Sequence, residues 1–340
     1  MAVNDKIRVI DYNAIRNTVV GVLGTSGPAT LLGPTYGWGQ PVNSSAVAEG
    51  TKLTVSHIQQ LRNDIINAWT HIFGTAPTPA QVVEHGKVRF NASDAPVNSY
   101  QALANSIDAN RFTVNSPSVN TPIPAIFTSW PGVYGSNWTS FLSCEFQVSW
   151  PDAEKARHFW NSGGRIRFTA SRTGGSGTQQ NTQWTALLSS IGTQSFGGNS
   201  PSVGFSPANP MDGRNWYRCT NTPQIFFTQS MTSPYGGNSY RIFARTVDAV
   251  ANNNATGTAT QARFRIEFID NYVDPGIAPL PSGSPNTATV AMFPPGDSVD
   301  GTFSVAVDLL FASAAPLVPL ALGTFSVVLP TVTVIQQIQP

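Results

Sequence analysis

The chain has 340 residues, of which only 11% are Asp, Glu, Lys or Arg, against roughly a quarter in an average soluble protein. Its 19 basic and 18 acidic residues leave a formal net charge of +1, which excludes a strong overall field for nucleic acid or an anionic membrane. A chain this poor in charge is not expected to be disordered. Its 29 glycines and 26 prolines, together with 41% apolar residues, favour many short strands and turns.

The first part of the chain predicts short helices joined by polar loops. Residues 1–6 contain no long apolar run of the kind found in a secretory signal, so we expect no export by that route. Asp11 is placed to cap the N-terminus of a first helix. Gly24 is expected to end this helix by adopting a left-handed backbone conformation. Further along, a capping-box pattern at 78–81 and an apolar stripe over 99–110 predict two more short helices.

The clearest helical pattern runs from about Thr54 to Ile72 and ends at Gly74. Its apolar residues alternate at spacings of three and four, as in a coiled-coil seam, but only over two heptads. Two interpretations are open, because the stripe could pack on its own domain or form a seam between subunits. The second interpretation predicts an oligomer or docking interface made by Ile58, Leu61, Ile65 and Ile72.

From about residue 123 the hydrophobic period changes to two, which is typical of strands with one buried and one solvent-facing side. Between these strands, residues 152–161 and 181–190 predict two short helices that cover an edge or an end of the sheets. The alternation is clearest at 142–150, 165–170, 263–268 and 303–311.

The predicted fold class is α+β. A short N-terminal helical module for docking or oligomerisation occupies residues 1–122, and a mainly antiparallel, jelly-roll-like β-sandwich with the two inserted helices occupies 123–311. An uncharged, β-prone C-terminal tail follows over 312–340.

The tail belongs to a stretch without any charged side chain, from Leu309 to Pro340. We expect no membrane span there, because three prolines and a glycine interrupt the stretch and lipid does not tolerate so many broken backbone hydrogen bonds. A β-prone tail left in water would promote aggregation, so its place is in a sheet, either its own or a neighbouring subunit's. The tail residues predicted to dock are Phe325, Val327 and Leu329.

A search for catalytic and metal-binding patterns finds none. The four histidines show no metal-ligand spacing, and no nucleophile elbow occurs. The run at 174–178 lacks the lysine of a phosphate loop. Cys144 and Cys219 are expected to be buried thiols rather than a disulfide. The sequence therefore predicts no catalytic residue, no cofactor and no metal.

Two groups of acidic residues remain as candidates for a glycosidase pair or a calcium site. They lie beside Pro and Gly at strand ends, where an aspartate ordinarily caps a turn with its own side chain, and turn caps are the favoured interpretation. The residues are Glu267, Asp270 and Asp274 in one group, and Asp297 and Asp300 in the other.

Aromatic residues within loops rich in Gly, Ser and Asn offer a different hypothesis, since rigid rings with adaptable polar neighbours are typical of surfaces that bind sugars or proteins. The alternative is that these rings pack beneath their own loops, as aromatic side chains usually do. The candidates for ligand-facing aromatics are Trp138, Trp216 and Tyr235.

Several segments resemble virion structural and tail-fibre-like proteins of tailed phages, especially those of T4-like cyanophages. In the N-terminal part the resembling segments are 10–17, 22–24, 36–40 and 61–65. In the second part they are 156–164, 170–175, 184–192 and 299–302. The resemblance implies a structural part of a particle and not an active site.

The function expected from this resemblance is that of a non-enzymatic phage virion component, in a tail, fibre, baseplate or neck appendage. The alternatives are a head decoration protein and a glycan-binding module for host attachment. The chain contains no internal repeat, which favours a compact component over a full-length fibre. The expected partners are other copies of the chain, for instance in a trimer, other virion proteins and a host surface glycan, with no nucleic acid. The expected location is the virion, after assembly in the host cytoplasm.

Overall fold

A computed structural model describes residues 7–24, 37–77, 99–113, 118–122, 140–198, 215–248, 253–272, 299–312, 328 and 330–338. The helices in these ranges are α1 (Val9–Leu23), α2 (Val55–Phe73), α3 (Tyr100–Ala109), α4 (Ala153–Asn161) and α5 (Gln179–Ile191). The strands are β1 (Ser118–Pro122), β2 (Ser140–Ser149), β3 (Arg165–Thr173), β4 (Thr193–Gly197), β5 (Gln224–Ser230), β6 (Ser239–Thr246), β7 (Gln261–Asp270), β8 (Thr302–Ala312) and β9 (Thr331–Ile338). None of these helices is both long and apolar enough to cross a membrane.

The strands form two antiparallel sheets. One has the order β1-β8-β3-β4 and the other β5-β6-β7-β2-β9. Their inner faces meet in a core rich in aromatic rings, where Phe264 of β7 lies 5.4 Å from Phe146 and 5.4 Å from Phe168 between ring centroids. The predicted α+β class and antiparallel sandwich are therefore confirmed.

Both predicted inserted helices are present and contribute large rings to this core. Trp160 of α4 stacks on Trp216 at a centroid distance of 5.4 Å, and Trp184 of α5 meets the edge of Phe303 at 5.5 Å. Each helix begins at a residue whose side chain accepts a backbone N–H, namely Asp152 for α4 and Thr178 for α5.

The predicted domain boundaries need correction at both ends of the sandwich. Strand β1, over residues 118–122, pairs with β8 and so belongs to the sandwich rather than to the helical module. Strand β9, in the predicted tail, pairs with β2 of the same chain. The tail therefore adds a strand to its own sheet, which was one of the two arrangements left open.

The helical module is held together by α1, α2 and α3. The loop over residues 37–50 is attached to α2 through the buried carboxylate of Asp64. This carboxylate accepts hydrogen bonds of 2.6–3.0 Å from the backbone N–H groups and the side chains of Asn43 and Ser44. Helix α2 begins at the Thr54 and His57 capping box and ends at Gly74, whose φ is +77°.

Two details of α1 differ from the prediction. The helix begins at Val9, so Asp11 lies inside its first turn and pairs with Arg8 at 2.8 Å instead of capping the helix. Gly24 is extended, with φ −65°, and not left-handed. The end of the helix is satisfied by a tertiary contact, because the N–H groups of Trp38 and Gln40 donate to the last carbonyl groups at 2.8 Å.

The apolar stripe of α2 packs within its own chain, and its assignment as an oligomer or docking interface is wrong for the three residues that are fully buried. Leu61, Ile65 and Ile72 are buried among residues of α1 and α3, and Ile58 packs at the margin of the same cluster. An amphipathic helix buries its stripe against the nearest apolar surface, and the chain supplies that surface itself.

The helical module and the sandwich meet at a buried joint. The His71 imidazole of α2 lies 4.3 Å from the Trp38 ring between centroids, and its Nε2 donates to the Ser162 carbonyl oxygen at 2.8 Å. Gly39, with φ +74°, lies so close to the His158 ring that a Cβ there would clash with it. Burial lowers the pKa of His71 to about 4.

The two cysteines confirm the expectation of buried thiols. Neither Cys144 nor Cys219 forms a disulfide, and both side chains are buried in the sandwich core. Burial raises the pKa of the Cys144 thiol well above its usual range, which keeps it protonated and unreactive.

Candidate functional site

The two predicted ligand-facing aromatics that the structure describes are buried. Trp216 is 0% exposed and Tyr235 is 1% exposed, so the prediction is wrong for both. A short 3-10 turn over Trp216–Arg218 directs the Trp216 ring into the core, and Tyr235 packs edge-on against Tyr272 at 4.7 Å. Trp138 lies outside the described residues.

The acidic candidates act as loop caps rather than as a pair. Asp270 accepts hydrogen bonds from Gln180 Nε2 at 2.8 Å and from the Tyr272 N–H at 3.2 Å, and burial raises its pKa. Asp300 accepts from the Ser176 N–H at 2.9 Å and from the Asn181 side chain. Burial acts to raise the pKa of Asp300, but these hydrogen bonds and the charge of Arg172 together outweigh it and lower the pKa. Each carboxylate is thus used to hold a loop against the sandwich.

The other members of the acidic groups add no catalytic arrangement. Glu267 pairs with Arg265 at 2.9 Å on the outer face of the five-stranded sheet. Asp274 and Asp297 lie outside the described residues. In the portion of the chain that the structure describes, no three His, Cys, Asp or Glu side chains form a group that could hold a metal ion.

The predicted docking residues of the tail, Phe325, Val327 and Leu329, also lie outside the described ranges. Described residues near them are apolar and accessible, since Val328 is 39% exposed and Ile335 is 40% exposed. Ile335 stands where the pairing of β9 with β2 shifts register, a bulge that leaves one residue of β9 without a partner opposite it.

The distribution of charge over the sheets is unusual. Among the strands that the structure describes, those at sheet edges contain no charged residue; they are β1, β4, β5 and β9. The five strands between them, β2, β3, β6, β7 and β8, each contain at least one. Charged side chains are one of the devices by which proteins keep edge strands from pairing with other chains, and the described edge strands lack that device.

Apart from Asp270 at the end of β7, the charged residues of the five-stranded sheet lie on its outer face. Residues facing the core alternate with outward residues, and the outward positions of β6, β7 and β2 carry four arginines and two glutamates. We call this set the arginine face, and it consists of Arg241, Arg245, Arg263, Arg265, Glu145 and Glu267. Its net charge of +2, from four positive and two negative groups, exceeds the net charge of +1 for the whole chain.

The pairing register brings like charges together at the centre of the arginine face. Arg245 stands directly opposite Arg263, and both guanidinium groups approach one oxygen of Glu145, at 3.2 and 3.8 Å. Arg265 lies over the Phe243 ring at 4.5 Å. The alternation of Arg263, Arg265 and Glu267 with apolar residues is visible in the sequence, but the pairing of Arg245 with Arg263 is decided by the register of β6 and β7.

A shallow depression of about 60 Å³ lies at this point of the arginine face. Its lining residues are Glu145, Pro223, Phe243, Ala244, Arg245, Arg263 and Arg265. It thus combines cationic side chains with an apolar floor.

Comparisons with known proteins do not place the chain in a family. No protein-family model, no curated protein and no solved structure matches it.

Proposed function

We propose that this chain is a non-enzymatic structural subunit of a phage virion, in a tail, fibre, baseplate or neck appendage, and that it associates with copies of itself. The resemblance of its segments to virion and tail-fibre-like proteins supports the kind of particle. The observation that carries self-association is the lack of charge on the four strands that lie at sheet edges among the described residues.

Strand β9 is the edge best suited to association. It has eight residues, and the described side chains of Thr331, Thr333 and Ile335 are exposed. No described strand pairs with its outer side. A free edge offers a row of backbone donors and acceptors to another strand, and repeated contacts around a symmetric assembly add up even when each is weak.

The position on the particle is tested by labelling intact phage particles with an antibody against this chain and viewing them by electron microscopy. We expect label at the tail or its appendages. Label over the head would favour the decoration alternative and contradict an appendage. Absence of label from every particle that contains the gene product by mass spectrometry would contradict an accessible structural role.

Self-association is tested by placing a charge on the β9 edge. We expect Ile335→Lys to lower the native mass of the assembly to that of the folded single chain, because a lysine at an edge must lose its hydration when another strand pairs there. Native mass spectrometry or light scattering gives the mass, and circular dichroism verifies the fold.

The matched control is Ala306→Lys, which adds the same charge at an exposed position of β8, a strand flanked by two others in its sheet. This control should keep the native mass of the unmodified chain. An assembly that survives Ile335→Lys, or a chain that is monomeric at all concentrations without substitution, would overturn association through β9.

A further inference from the structure

The arginine face has a feature that a purely structural sheet surface does not require. Arg245 and Arg263 face each other across β6 and β7, and like charges directly opposite each other destabilise a sheet. The single negative charge of Glu145 balances only one of these two positive charges. One Glu145 oxygen is shared by both guanidinium groups, at 3.2 Å from Arg245 and 3.8 Å from Arg263. The pair therefore retains an excess positive charge.

The side chains around this excess charge are held in place before any ligand arrives. Arg263 Nε donates to Gln147 Oε1 at 2.8 Å, and Gln147 Nε2 donates in turn to Gln261 Oε1 at 2.9 Å. The Arg265 guanidinium is positioned over the Phe243 ring. Because these contacts already restrict the arginines, a ligand would lose little affinity to ordering them.

The arginines remain accessible although they are partly desolvated. The Arg245 and Arg263 side chains are 28% and 27% exposed, and the Glu145 side chain between them is 17% exposed. Charged hydrogen bonds in such a half-buried place are stronger than they would be in bulk water. The size of the depression also fits an anion, because it has about 60 Å³ of space. A single water needs roughly 10–15 Å³, so the depression has room for the four oxygens of a tetrahedral anion.

We propose that this depression binds a phosphate or sulfate group, with the guanidinium groups of Arg245 and Arg263 as the donors and the Phe243 ring as an apolar wall for whatever carries the group. The planar guanidinium fork matches the spacing of two oxygens on such an anion. Glu145 pairs with both arginines and would compete with the ligand for them. This site does not depend on the virion assignment, because it rests on the arginine face alone.

The test is calorimetric titration of the full chain with inorganic phosphate and with sulfate, against chloride at the same ionic strength. We expect saturable binding with a dissociation constant on the order of 1 mM. Titration with glucose 6-phosphate and glucose 6-sulfate shows whether the anion is free or carried by a larger molecule. If these esters bind more tightly than the inorganic ions, the site recognises a group on a larger ligand. If they bind more weakly, the site recognises the free anion. Equal binding of glucuronate would overturn the preference for a tetrahedral group.

Variants separate a binding site from a structural ion pair. Arg245→Gln and Arg263→Gln should each weaken binding about tenfold or more, whereas Arg167→Gln should change it less than about twofold. Arg167 is the matched control, because it forms a similar ion pair with Asp308, at 3.3 Å, on the other sheet.

Glu145→Gln is the decisive variant, because it keeps the shape of the side chain and removes the competing charge. We expect it to bind phosphate or sulfate about tenfold more tightly than the unmodified chain. A purely structural role of the ion pair predicts no such gain. Unchanged or weaker binding by Glu145→Gln, or no saturable binding by the unmodified chain, would overturn the site.

Discussion

Substitution of Ile65→Asp in α2 is expected to unfold the helical module rather than to separate folded subunits. Ile65 is 2% exposed and packs within the cluster formed by α1, α2 and α3. An aspartate there would place an unpaired charge in an apolar core and leave part of the cluster unfilled, which together cost about 4 kcal/mol or more of unfolding free energy. Loss of helical circular dichroism and of amide protection in α1–α3 measures the effect.

Val55→Asp provides a matched control on the same helix. Val55 is 82% exposed and is the first residue of α2, where a negative charge interacts favourably with the helix dipole. This variant should leave the unfolding free energy within about 0.5 kcal/mol of its original value. A folded Ile65→Asp chain with a reduced native mass would instead restore the interpretation of α2 as a seam between subunits.

The stability of the protein is expected to fall as the pH is lowered from 6.5 towards 4, because of His71 at the joint. Burial lowers the pKa of His71 from 6.5 to about 4, so in this range the unfolded chain binds a proton that the folded chain does not. Protonation therefore favours the unfolded state. At 1.36 kcal/mol per pH unit, the loss amounts to roughly 3 kcal/mol by pH 4. Urea unfolding midpoints at half-unit pH steps measure it.

The contribution of His71 is isolated by comparison with His71→Leu, which removes the titrating ring and also its hydrogen bond to Ser162. That variant should be less stable at pH 7 but show a much flatter dependence on pH between 6.5 and 5. Asp11 and Asp300 do not affect this window, because their pKa values are lowered from 3.8 and their protonation acts at lower pH. Asp270, whose pKa is raised by burial, acts in the opposite sense as the pH falls, and its contribution is present in both chains and cancels in the comparison. An equally steep profile in His71→Leu would assign the dependence to other groups.

The burial of His71 between the helical module and the sandwich is a feature that the sequence alone does not predict. His71 was visible only as a histidine without metal-ligand spacing, and nothing near it in the chain indicates burial. Its partners, Trp38 and Ser162, lie 33 and 91 residues away in the chain. The residue acquires its altered pKa from the way in which the helical module meets the sandwich, and no local pattern encodes that contact.

For the candidate surfaces, too, the sequence predicted some features and not others. The alternation in β2 and β7 correctly predicted which side of each strand faces the core, because burial of one sheet face imposes a period of two. The opposition of Arg245 and Arg263, however, depends on strand register, and a shift of one residue would turn either arginine to the other face. For Trp216 and Tyr235, polar loop composition suggested exposure, but the loops close over the rings.

The sequence by itself determined the α+β class, the antiparallel sandwich, the two inserted helices and the buried thiols of Cys144 and Cys219. These follow from periodicity, capping residues and composition, which act over a few neighbouring residues. Only the tertiary structure decided that the stripe of α2 packs inside its own module, that β9 joins its own sheet and that the arginines collect around Glu145. A periodic pattern specifies which side of an element is apolar, whereas the surface that covers this side comes from distant parts of the chain.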